Sequence, residues 1–168
     1  DAHGLPDARF ALLVGDMPLA LKAGQLARAE RIHRELEALM PEARAGFLPQ
    51  GLRAQASFLA QRGDCAAALM RIDRLLALCT DLEVPERDRG AYHVLRANVL
   101  TGLGRFDEAR EALARLHQHQ GAAQRELLAV IEAFTEAAAR LDAQPDAAIP
   151  WLATALAGAA RLQFSRFF

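Results

Sequence analysis

The chain has 168 residues, of which 52% are hydrophobic and 24% charged, a balance typical of a folded chain rather than a disordered one. Its formal net charge of -1 excludes a strongly basic field, so we expect no direct nucleic-acid binding. The longest charge-free apolar stretch near the C-terminus, residues 147–160, is too short to span a bilayer, and we expect a cytoplasmic location with no membrane contact.

Apolar spacing and helix-breaking residues predict eight helices and no strands. The predicted helices cover residues 6–23, 26–40, 49–62, 64–80, 88–103, 107–120, 122–141 and 145–162. The first is expected to kink or break between Gly15 and Pro18, because proline cannot donate the backbone hydrogen bond that continues a helix.

Three glycines divide these helices into pairs. Gly24, Gly63 and Gly104 are 39 and 41 residues apart, and each is followed by an alanine five positions on. Glycine ends a helix in a left-handed cap, and alanines such as Ala68 and Ala109 allow close helix crossings, so we expect them to be buried. The pattern predicts an all-α fold, a right-handed superhelical stack of about four antiparallel helix pairs with a period of about 40 residues. In a degenerate fourth copy, Ala143 takes the place of the glycine.

The segment 92–116 resembles a tetratricopeptide (TPR) unit through Gly104, Phe106, Ala109 and Leu113. Its longer period is similar to the superhelical sensor domain of MalT-type transcriptional regulators of the LuxR family, a likeness carried by residues 22–39 and 61–76. The resemblance covers about residues 11–156. It implies a TPR-like stack that binds a protein, peptide or small-molecule effector.

The same resemblance implies that the first helix of each pair lines a concave face. Carrying the TPR positions across gives six candidate ligand-binding residues: Gln50, Arg53, Ser57, Asn98, Thr101 and Arg140. Arg53 and Arg140 are interpreted as lacking an acidic neighbour on their own helix face, which favours an anionic or carboxylate-bearing ligand. Two alternatives stay open: the arginines pair with acids across the groove, or the face is solvated and has no ligand.

No enzyme or metal motif is present. The sequence lacks HExxH, CxxC, GxSxG and a phosphate-binding glycine loop, so we predict no catalysis, no metal and no cofactor. Two histidines, His33 and His93, are expected to pack inside the fold, whereas His117 and His119 point to different faces and cannot share a metal. The two cysteines, Cys65 and Cys79, are predicted to be free thiols.

Apolar residues accumulate toward the C-terminus. We expect this set to cap the stack or to pair with another copy of the chain: Trp151, Leu152, Leu156, Leu162, Phe164, Phe167 and Phe168. Because the sequence lacks an initial Met and ends on two phenylalanines, we expect residues 1–168 to be one domain of a longer protein.

The leading functional hypothesis is a ligand- or protein-binding regulatory domain of a bacterial signalling protein, such as a MalT-like transcriptional regulator. One alternative is a stand-alone TPR adaptor that holds protein partners together. A weaker alternative is a sensor domain attached to an enzymatic output module.

Overall fold

A computed structural model describes residues 4–117 and 122–162, and their side chains over residues 7–117 and 125–162. Regular structure in the described residues is entirely helical, which confirms the predicted all-α class. The helices are α1 (Gly4–Lys22), α2 (Leu26–Leu39), α3 (Leu48–Gln61), α4 (Cys65–Asp81), α5 (Gly90–Gly102), α6 (Phe106–Ala114), α7 (Ala122–Leu141) and α8 (Pro145–Arg161). A short 3-10 helix, η1 (Glu86–Asp88), precedes α5.

The chain divides into two compact units, residues 1–84 and 85–168. In the first unit, α1 pairs with α2 and α3 with α4, and α3 also packs against both α1 and α2. In the second unit, α5 pairs with α6 and α7 with α8, and α7 also packs against both α5 and α6. Each unit therefore repeats one arrangement, in which a new pair is joined to the preceding pair through its first helix. A single domain over residues 1–168 stays a prediction.

In three of the four helix pairs, the first helix ends at a glycine with the same geometry. Gly24, Gly63 and Gly104 have φ of 69°, 82° and 72°, in the left-handed region that side chains disfavour. After each glycine, the next amide donates to a carbonyl five residues back, as in Gln25 N–H to Ala20 O at 2.9 Å. This pair of hydrogen bonds is the Schellman motif, and its left-handed residue explains why the repeat favours glycine at this position.

Glu83 closes α4 with the same hydrogen bonds, although it is not a glycine. Its φ is 53°, its amide donates to Thr80 O at 3.0 Å, and the Val84 amide donates to Cys79 O at 2.9 Å. Ala143, the degenerate repeat position, does not use this cap. There the Gln144 amide donates to Arg140 O at 2.8 Å, which requires no left-handed residue.

Helix α1 differs from its prediction because it continues through Pro18. Pro18 is exposed, so its ring meets solvent and only one backbone hydrogen bond is lost. On the other side of the helix, Phe10, Met17 and Ala20 are buried, and their packing offsets that loss. The predicted break between Gly15 and Pro18 was therefore wrong.

Two other helix limits differ from prediction. Helix α5 begins at Gly90 because Glu86–Asp88 form η1 instead, and α6 ends at Ala114 in a turn over residues 115–117. Residues 118–120, predicted to extend α6, lie outside the described residues, as do His119, Phe164, Phe167 and Phe168.

Several packing predictions are confirmed. Ala68 and Ala109 have no exposed surface. His33 packs its ring 4.7 Å from that of Phe58, and burial lowers the pKa of its imidazole. Both cysteines are free thiols. Within the described helices, none combines the length and the apolar character needed to cross a membrane.

Candidate functional site

The three candidate residues of the first unit share the outer face of α3. Gln50 is exposed, and Arg53 and Ser57 are half-buried, three and seven positions further along the helix. The remaining circumference of α3 is largely buried, since Leu52, Ala56 and Phe58 are at most 1% exposed. Arg53 forms no ion pair with any residue that the structure describes.

The candidates on α5 have different environments. Asn98 is half-buried, whereas Thr101 is only 7% exposed. The Thr101 hydroxyl donates to Ala97 O at 2.9 Å and lies 3.0 Å from the hydroxyl of Thr135 on α7. Thr101 is thus part of the α5–α7 contact, and its hydroxyl is not presented to solvent.

Arg140 on α7 has an acidic neighbour, contrary to the interpretation of the sequence. Its Nη1 contacts the carboxylate of Glu136, one turn earlier, and donates to the Glu136 carbonyl at 2.8 Å. The guanidinium carbon also lies 5.3 Å from the centre of the Trp151 ring, at cation–π distance. Of the two arginines that favour an anionic ligand, only Arg53 therefore remains without an acidic neighbour in the described residues.

Glu136 also joins α7 to α6. Its carboxylate accepts hydrogen bonds from Arg110, at 2.5 Å from Nε and 3.2 Å from Nη2. The Arg110 hydrogen bond, followed by that of Arg140, lowers the Glu136 pKa to about 2. Arg110 also donates to Asp107 at 2.7 Å, so two arginines and two carboxylates form one compensated network, and we assign them a structural role. The six candidates lie on three helices of two units, and a shared concave face stays a prediction.

A cleft of about 330 Å³ lies within the second unit and was not predicted. Its floor is apolar and comes from three helical segments: Ala91 and Val94 of α5, Leu116 after α6, and Leu127 and Leu128 of α7. Its rim is charged: Glu86, Arg87 and Asp88 of η1, and Arg115. Protein clefts that bind small molecules have volumes of roughly 300–1,000 Å³ and combine an apolar lining with a few polar groups.

The rim is fixed by contacts between η1 and α5. Pro85 is extended, with ψ of 142°, and its carbonyl accepts from the Asp88 amide at 2.9 Å, which starts the 3-10 turn. Glu86 then lies 2.8 Å from Nε2 of His93 and 3.4 Å from Arg89. His93 is buried as predicted, and its contact shows why: it holds the rim segment onto α5.

The other rim charges are more exposed. Arg87 lies 3.9 Å from Asp88, beyond hydrogen-bond distance, and Arg115 donates to Glu111 at 2.7 Å on the outer surface of α6. Such exposed pairs contribute little energy and exchange partners readily. The cleft therefore suits a ligand with an apolar body and one polar or charged group at the mouth.

Only one signal in the sequence pointed to this place. Four charged residues, Glu86–Arg89, directly follow Pro85 and precede an apolar helix. The sequence predicts only a loop before residue 88 and a helix start there, because sequence alone does not bring residues 86–94, 115–116 and 127–128 together. In the residues that the structure describes, no three His, Cys, Asp or Glu side chains group as metal ligands.

Comparison of the chain with protein-family models, with curated proteins and with solved structures yields no match. The TPR-like and MalT-like resemblance therefore stays a hypothesis carried by the sequence motifs.

Proposed function

We propose that this chain is a ligand-binding regulatory domain built from TPR-like helix pairs, and that the cleft of the second unit is its ligand site. The observation that carries the proposal is the cleft itself, with its apolar floor under a charged rim. The ligand class is a small molecule with an apolar ring or chain and one polar head group.

The repeat supports the TPR-like part of this proposal. Glycine caps recur at intervals near 40 residues, and within each unit the first helix of the second pair packs on both helices of the first. The proposal includes a right-handed superhelical stack, in which each helix pair packs on the next. A role as the sensor domain of a cytoplasmic MalT-like regulator follows from the sequence resemblance and belongs to the same proposal.

The position of the cleft in the chain suits a regulatory role. The rim segment η1 begins two residues after Val84, the last residue of the first unit. A ligand that contacts Glu86–Asp88 binds better when η1 is docked on α5 than when it is not, so occupancy favours the docked state. The ligand would thereby act on η1, the segment that directly follows the first unit along the chain.

Two fluorescent dyes with the same naphthyl and phenyl rings provide the test. N-phenyl-1-naphthylamine is neutral, and 1-anilinonaphthalene-8-sulfonate carries one negative charge. Both are to be titrated against the chain and against Val94→Trp, which fills the cleft floor. We expect the substitution to weaken binding at least about tenfold, which corresponds to about 1.4 kcal/mol.

Two control variants separate the cleft from other apolar surface. Met70→Trp adds the same ring to an exposed position of α4, and Leu152→Gln removes an exposed leucine from α8. Both should leave the affinity unchanged. Equal weakening by Val94→Trp and Met70→Trp, or no binding of either dye to the unaltered chain, would contradict the proposal and favour the adaptor alternative. If Arg115→Gln weakens the binding of the sulfonated dye alone, the sulfonate of the dye lies at that rim position.

A further inference from the structure

The contact between α3 and the first helix pair buries polar atoms that have no partner. Gly51 of α3 approaches α1 closely, since a Cβ at this position would lie 2.5 Å from Phe10 Cζ. Phe58, seven residues later, packs its ring 4.7 Å from that of His33 on α2. Helical spacing puts Gln55 between Gly51 and Phe58 on the same side of α3. We call this contact of α3 with α1 and α2 the first joint.

The unpartnered atoms belong to two residues of the first joint. Gln55 is only 1% exposed, and neither its amide oxygen nor its amide nitrogen has a hydrogen-bond partner in the described residues. The same holds for Nδ1 of His33. Among the side chains that the structure describes, no other buried nitrogen or oxygen lacks a partner. A buried polar group without a partner gives up its hydrogen bonds to water, which destabilises the contact that buries it.

The corresponding joint of the second unit, where α7 packs on α5 and α6, contains paired polar groups instead. The Thr101 hydroxyl lies 3.0 Å from that of Thr135, and Arg110 donates to Glu136 at 2.5 Å. Opening that joint would break these hydrogen bonds. Opening the first joint would instead let water reach its unpartnered atoms, so the first joint opens at lower cost in polar interactions.

The charges around His33 make the first joint sensitive to pH. Glu30 and Glu37 of its own helix face the imidazole, as do Arg62 just after α3 and Arg71 of α4. Burial, together with the two arginines, lowers the pKa of His33 below its ordinary value of 6.5, although the two glutamates oppose this shift. The opened joint therefore takes up a proton more readily than the closed one. The stability that neutral His33 gives to the joint is complete above pH 6.5 and is lost as the pH falls below 6.5.

We propose that the first joint is an acid-sensitive hinge, at which the α1–α2 pair separates from α3 before the α3–α4 pair unfolds, and that protonation of His33 favours the separation. The link between the two pairs, residues 40–47, consists of turns rather than helix, which allows the pairs to move apart. Arg71 and Glu37, 2.9 Å apart, and Arg62 and Glu30, 3.7 Å apart, also connect the pairs. Because these side chains are partly exposed, their ion pairs contribute little to closure.

Native-state hydrogen exchange on the full chain, resolved by NMR, tests the separation. Amides of α1 and α2 should exchange as one group, through an opening that is more frequent than that of α3 and α4. Gln55→Met keeps the length of the side chain and removes its amide, so it should slow the exchange of the α1 and α2 group by at least about tenfold. Gln61→Met, at an exposed position of α3, is the matched control and should leave that exchange unchanged.

The role of His33 is tested by repeating the measurement at about pH 7.5 and about pH 5.5, corrected for the intrinsic exchange rate of each amide. The opening of α1 and α2 should become several-fold more frequent at the lower pH. His33→Leu, and His33→Phe, which keeps a ring against Phe58, should lose this dependence. His117→Leu, at an exposed histidine of the second unit, should retain it.

Three results would overturn the proposal. The first is exchange of all four helices of the first unit through one common opening. The second is an α1 and α2 group whose exchange Gln55→Met leaves unchanged. The third is a pH dependence of that group that survives in both variants of His33.

Discussion

Glu83, just after helix α4, adopts the left-handed backbone conformation that glycine adopts after three other helices. The hydrogen bonds at Glu83 match those at Gly24, Gly63 and Gly104, so the geometry of the cap is conserved while the residue is unfavourable. A side chain in the left-handed region costs about 1–2 kcal/mol relative to glycine, partly offset by the greater freedom of glycine in the unfolded chain.

Glu83→Gly should therefore stabilise the first unit by about 0.5–1 kcal/mol, measured as a rise in the midpoint of thermal or urea unfolding. Ala143→Gly is the matched control: it occupies the equivalent repeat position but has no positive φ, and should give no gain. A Glu83→Gly variant that is no more stable than the unaltered chain would show that the Glu83 conformation is not strained.

At the scale of elements, one carboxylate links α6 to α7. Glu136 bridges Arg110 of α6 and Arg140 of its own helix, and its side chain is only 17% exposed. Since its folded-state pKa of about 2 lies below its ordinary value of 4.5, ionised Glu136 contributes stability above pH 4.5. That contribution is lost as the pH falls from 4.5 toward 2, because the unfolded chain takes up the proton first.

Glu136→Gln should cost roughly 1–2 kcal/mol of unfolding free energy at neutral pH, after allowance for solvent screening. The difference from the unaltered chain should narrow as the pH falls below 4.5, as measured by urea unfolding at a series of pH values. Glu111→Gln removes an exposed pair with Arg115 on α6 and should cost less than about 0.5 kcal/mol. Equal costs for the two variants would contradict the bridging role of Glu136.

The sequence predicted the helices well because their ends are marked by residues with strong local preferences. Glycine marks the ends of α3 and α5. Pro49 marks the start of α3 and Asp64 the start of α4, so these limits are predicted to within a few residues. The continuity of α1 through Pro18 could not be predicted, since it depends on which side of the helix meets solvent. The 3-10 turn before α5 likewise depends on contacts of Glu86 with His93 and Arg89.

At the scale of the whole molecule, the candidate site was predicted less well than the fold. Helical periodicity is local, so the sequence could put Gln50, Arg53 and Ser57 on one face of α3, which the structure leaves exposed or half-buried; that this face is concave and binds a ligand stays a prediction. The prediction that Arg140 has no acidic neighbour was wrong, because Glu136 lies one turn away on the same helix. The cleft was missed because it joins three segments that only tertiary packing brings together.

The central claim is that the cleft of the second unit, and not the outer face of α3, binds the ligand. The most direct measurement is a titration of the ¹⁵N-labelled chain with 1-anilinonaphthalene-8-sulfonate, followed by amide chemical shifts. The account predicts that the largest shifts belong to Ala91, Val94, Leu127 and Leu128, while Arg53 and Ser57 are unaffected. Largest shifts at Arg53 and Ser57, with Val94 and Leu128 unchanged, would contradict it.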